Sequence, residues 1–72
     1  MAQTITDEMD LIGKTAGAVW HFLREEGPVT LTKLSKEIDA PRDIVMQSLG
    51  WLAREGKIAY FDGARTKRVG LT

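Results

Sequence analysis

The chain has 72 residues, 43% hydrophobic and 28% charged, with ten basic and ten acidic side chains, one histidine and no cysteine. That is enough for one domain around one small core, and it excludes a disulfide frame and an ordinary structural zinc site, which needs about four Cys or His ligands. No apolar run approaches the roughly 20 residues of a membrane helix, and the acidic opening MAQTITDEMD is neither a secretory nor a transit signal, so a soluble cytoplasmic protein is expected.

The zero net charge is unevenly spread. Asp7, Glu8 and Asp10 stand in the first ten residues with no base, while Arg65, Lys67 and Arg68 stand in the last ten with no acid. An acidic head and a basic tail result. This is a weaker balance than the strongly basic one of a tight nucleic-acid binder.

Residues 1–6 are expected to be a disordered tail, and residues 7–72 one domain. From about Asp7 to Glu26 the pattern is helical, because Ile12, Ala16, Val19 and Leu23 fall on one face. Asp7, Glu8 and Asp10 suit the positive end of that helix, and Gly27-Pro28 ends it. Gly13 and Gly17 sit one turn apart beside the apolar face. Each costs about 1 kcal/mol against alanine in a helix interior, which points to close backbone approach by another helix of the domain or by a partner.

Val29-Thr30-Leu31 reads as a very short strand. Thr30 then caps a second helix to about Ile38, with Leu31, Leu34, Ser35 and Ile38 inward and Lys33, Lys36 and Glu37 outward. After the turn at Asp39-Ala40, Pro41 opens a third helix at its first position, where the missing N–H costs nothing. That helix runs to about Glu55, with Val45, Leu49 and Leu52 as core stripe and Ile44, Ser48 and Trp51 beside it; Gly56 stops it.

The period then changes from 3.6 to 2. Ile58 and Tyr60 point inward and Phe61 outward; Asp62-Gly63 signals a hairpin, and a return strand from about Thr66 to Leu71 puts Val69 and Leu71 on one face. These four residues share a face only if the loop has an even number of residues. A four-residue loop, Asp62 to Arg65, sets Ile58 opposite Val69.

Helix, short strand, helix, tight turn, helix and hairpin follow in that order. The stretches PVTLTKLSKEIDAPRDIVMQSLGWLAREGKI and AYFDGARTKRVGL carry a resemblance to the winged helix-turn-helix superfamily, a mostly helical α+β fold of three helices, a short strand and a C-terminal two-stranded wing. More narrowly, Leu11 to Leu71 resembles a family of small stand-alone prokaryotic winged-helix proteins of unknown function. The resemblance implies a DNA-binding or DNA-binding-derived module, possible regulation of transcription, with the third helix in the major groove and the wing on the backbone. Carried over by position, Arg42, Asp43, Met46, Gln47 and Gly50 would face the groove, with Arg54 further along. Arg65, Lys67 and Arg68 would come from the wing, and Thr30, Thr32, Lys33 and Lys36 would meet phosphates.

Each residue also has a plainer reading. Arg42 and Gln47 can read guanine and adenine bidentately, or be ordinary surface residues, Arg42 paired with Asp43 or Glu37. Asp43 repels phosphate and suits the helix N-terminus instead. Met46 and Gly50 form an apolar patch for a groove or a protein, or are buried beneath neighbours. The wing bases contact phosphate nonspecifically, or keep an edge strand soluble. Strand alternation puts Arg68 on the opposite face from Lys67. Exposed aromatics such as Phe61, together with Gly13 and Gly17, point to a homodimer, whereas Trp20 is expected in the core. His21 has no partner group at recognisable spacing, and no phosphate loop, carboxylate pair or nucleophile motif occurs. The resemblance makes double-stranded DNA the expected partner, and the missing motifs lead to the expectation of no enzymatic activity and no cofactor. Zero net charge, Asp43 and the Met46–Gly50 patch favour the alternative, a protein–protein module.

Overall fold

A computed structural model describes residues 2–62 and 66–72, with side chains from Asp7 onward. The elements are α1 (Ala2–Glu26), β1 (Val29–Thr30), α2 (Leu31–Glu37), α3 (Arg42–Arg54), β2 (Ile58–Asp62) and β3 (Lys67–Leu71). Three helices thus pack with a small antiparallel sheet, in the order expected of a winged helix.

Ala16, Val19 and Leu23 of α1, Leu34 of α2, and Val45, Leu49 and Leu52 of α3 meet Val29, Ile58 and Val69 of the sheet in one core. The helical stripes read from the sequence are therefore the buried faces. Trp20, expected in the core, packs against its margin with Phe22 and Leu31. Ser48 lies fully buried between α1 and α3. Its hydroxyl faces the carbonyl oxygens of Ile44 at 2.8 Å and Ile12 at 3.1 Å, so its one proton has an acceptor on either helix.

Helix ends follow their local chemistry. Thr30 accepts a hydrogen bond from the Lys33 amide at 3.1 Å and caps α2, as expected. Pro41 is the cap residue of α3 rather than its first helical residue: its carbonyl already accepts the Val45 amide at 3.0 Å while its own ψ of 145° is extended. Gly56, at φ +72°, closes α3. Its amide donates to Ala53 O and that of Lys57 to Leu52 O, the paired bonds of a Schellman ending. α1 begins at Ala2, ahead of the start expected near Asp7, and no Gly or Pro interrupts it before Gly13. Residues 2–6, expected as a tail, thus continue the helix, and the acidic cluster lies beyond its first turn.

The sheet order is β1-β3-β2. Ile58 pairs with Leu71, Tyr60 with Val69, and Asp62 with Lys67. Face parity is as expected, but the register is two residues from the expected pairing of Ile58 with Val69, because β2 extends to Asp62, which pairs with Lys67. Tyr60 was expected inward and is 45% exposed, whereas its partner Val69 is fully buried. β3 is central and β2 is an edge, so Tyr60 has a neighbouring strand on one side alone. Phe61 faces outward, as expected, and closes over Gly70: a Cβ there would meet Pro28 Cγ at 3.0 Å and Phe61 Cε2 at 3.2 Å. A side chain there would require Pro28 and Phe61 to give by a few tenths of an ångström.

Candidate nucleic-acid interface

The outward face of α3 is polar. At 100° per residue, Asp43, Gln47, Gly50 and Arg54 form its central row, and all four are exposed. Arg42 lies at the edge nearest α2, where its Nη1 donates to Ser35 Oγ at 3.3 Å. That bond steers the guanidinium toward α2 and replaces the ion pair with Asp43 or Glu37 considered from the sequence. Asp43 accepts the Ile44 amide at 3.0 Å through Oδ1, which is the helix-terminus role. Met46 is half-buried and packs against the core, so the apolar patch expected with Gly50 shrinks to its rim. A Cβ at Gly50 would meet nothing within 4 Å.

Thr32, Lys33 and Lys36 are exposed on α2, while Thr30 spends its hydroxyl on the cap. In the wing, the Lys67 ammonium lies 6.0 Å from the centre of the Tyr60 ring. Arg68 pairs with Phe61 on one side and Thr30 on the other, which sets it beside the start of α2. Arg65 lies outside the described residues. Arg68 and Lys33 therefore flank Thr30 from the sheet and the helix, whereas Lys67 belongs to the other face of the wing.

A second surface was only partly foreseen. Gly13, Gly17 and Trp20 of α1 and Trp51 of α3 line an open groove of about 660 Å³, with His21, Glu55 and Lys57 at its edge. Trp51, expected beside the core stripe, is 55% exposed. Arg24 lies over the Trp20 ring, 5.6 Å from its centre, and Lys57 meets Glu55 at 3.6 Å. A Cβ at Gly13 or Gly17 would meet nothing within 4 Å, so no helix of the domain makes the close approach that these glycines permit. Trp51 was the available signal: its direction on the helical wheel falls between exposed Gln47 and buried Ile44. Among the described residues no group of three or more His, Cys, Asp or Glu could hold a metal, and no helix is long and apolar enough to cross a membrane.

The chain is 42% identical over 50 residues to the uncharacterized protein MJ1608 of Methanocaldococcus jannaschii, covering 65% of this chain and 70% of that protein. Its fold is similar to protein BT2368 of Bacteroides thetaiotaomicron, with a TM-score of 0.76 at 26% identity over 86% of this chain and 76% of that one. It is also similar to the Zα domain of Carassius auratus PKZ, solved in complex with Z-DNA, with a TM-score of 0.71 at 20% identity over 85% and 97% of the two chains. Residues 5–69 match the winged helix-turn-helix domain family DUF2582, and the chain belongs to that family.

Proposed function

We propose that the protein binds double-stranded DNA, with α3 against the major groove and the wing on the backbone, as a cytoplasmic homodimer that regulates transcription. The observation that carries this reading is the polar face of α3, where Gln47 and Arg54 are exposed and no other element covers the row among the described residues. From Arg42 to Arg54 it extends about 18 Å at 1.5 Å per residue. Lys33 and Arg68 stand beside the cap of α2, placed to meet phosphate while α3 meets base edges. Binding of DNA by the similarly folded Zα domain supports the class of partner, not its sequence or helical form. The role needs neither a cofactor nor a catalytic group.

The test is duplex binding as a function of salt. Each phosphate contact adds about 0.9 to the slope of log K against log salt. Replacing Arg65, Lys67 and Arg68 together by Glu is expected to abolish measurable binding and flatten that slope. Unchanged binding contradicts the groove-plus-wing arrangement. A second reading, contact with another protein through α3, is favoured by Asp43 at the N-terminal end of the exposed row. It predicts no binding to any duplex at low salt.

A further inference from the structure

We propose that the groove between α1 and α3 receives α1 of a second copy of the chain, the two helices running antiparallel about a two-fold axis with Gly13 of each beside Gly17 of the other. This makes the homodimer of the proposed function specific, and it does not depend on whether DNA is bound.

Met9, Gly13, Gly17, Trp20 and Arg24 fall within about 80° of one another on α1 at 3.6 residues per turn, and Asp10 lies about 20° beyond Gly17. The arc is distinct from the buried stripe of Ala16, Val19 and Leu23, and it continues onto exposed Trp51. Trp20 packs on the margin of the core, but Met9 is 64% exposed and the space above Gly13 and Gly17 is open. From Asp7 onward, burial on α1 begins at Thr15 and Ala16, apart from half-buried Ile12. Met9 thus stands as an exposed apolar side chain on the same side of the helix as Gly13, two turns or less from it.

The occupant is identified by complementarity of α1 with itself. Asp10 lies three residues before Gly13, and Trp20 three after Gly17. Met9 lies four before, and His21 four after. Asp7 lies six before, and Arg24 seven after. Antiparallel pairing centred on the two glycines thus sets Met9 of one copy near Trp20 and His21 of the other, a favourable sulfur–aromatic contact. It also sets Asp7 and Asp10 near His21 and Arg24. Parallel pairing would place acid beside acid. A surface whose two halves match each other is the requirement of an isologous two-fold interface. The glycines let the helix axes approach closely, and the outward row of α3 stays open.

Sedimentation equilibrium of the whole chain, without DNA, tests this. The wild type is expected to have twice the 8.0 kDa chain mass at high micromolar concentration. Gly17→Leu is expected to sediment as a monomer with its helical circular dichroism retained, since the added side chain points into open space within its own chain. Asp10→Lys and Arg24→Glu should each weaken association by roughly tenfold or more, about 1.4 kcal/mol, and their combination should restore it. A monomeric wild type overturns both the homodimer and the interface. A dimer that survives Gly17→Leu overturns the interface alone. Failure of the charge swap to restore association overturns the antiparallel arrangement.

Discussion

The outward rows of α3 and α1 are built from different materials. Along α3 the row reads Asp43, Gln47, Gly50 and Arg54; along α1 it reads Met9, Asp10, Gly13, Gly17 and Trp20, with Trp51 beside it. The first exposes polar heads on a short helix braced at both ends, by the Asp43 bond to the Ile44 amide and by the Schellman ending at Gly56. Such a face suits a hydrated, charged surface whose contacts exchange with water and salt. The second combines aromatic area with missing side chains. Such a face suits a dry contact with another helix, because its gain comes from removing apolar surface from water. One domain thus carries a polar face and a largely apolar one about a quarter-turn apart on α3.

Both faces stand on the same core, so the largest expected effect removes them together. Leu49→Ala, at a fully buried position, should cost about 2–5 kcal/mol and lower the thermal midpoint, with DNA binding and self-association failing in parallel. Alanine at the open glycines separates the faces. Gly50→Ala and Gly17→Ala should each raise helix stability by about 1 kcal/mol. In the Gly50 variant this appears as a higher unfolding midpoint with association unchanged. In the Gly17 variant the added methyl group holds the α1 helices apart, and sedimentation should show weaker association. Equal behaviour of the two variants would erase the distinction between the faces. The smallest effect is expected from Asp43→Asn, which keeps a side-chain oxygen for the Ile44 amide and removes the negative charge. Stability should change by less than about 0.5 kcal/mol, while duplex affinity measured by fluorescence anisotropy should rise severalfold at low salt.

The sequence made the helices legible because periodicity and end signals agreed. The stripes through Leu23, Leu34 and Leu49 are buried, Thr30 is a cap, and Gly27 and Gly56 take the positive φ of helix endings. Parity of the wing was legible, and its register was not: alternation fixes which residues share a face, but every even slip preserves it. Tyr60 failed for a related reason, since alternation cannot say which strand is central and which is an edge. On the candidate interface, position along α3 foretold the exposure of Gln47 and Arg54. It could not foretell that Arg42 would turn toward Ser35, a contact seven residues back across the turn. The groove at Gly13 and Gly17 depends on the space between two helices, and no single helix's pattern records that space.

Titration of the labelled chain with a duplex at low salt, read residue by residue by NMR, tests the two-face account most directly. Amide shifts are expected at Lys33, Arg42, Gln47 and Arg54 and in the wing at Lys67 and Arg68, with Gly13, Gly17 and Trp20 unmoved. Shifts centred on Gly13, Gly17 and Trp20, or none at millimolar duplex, would contradict it.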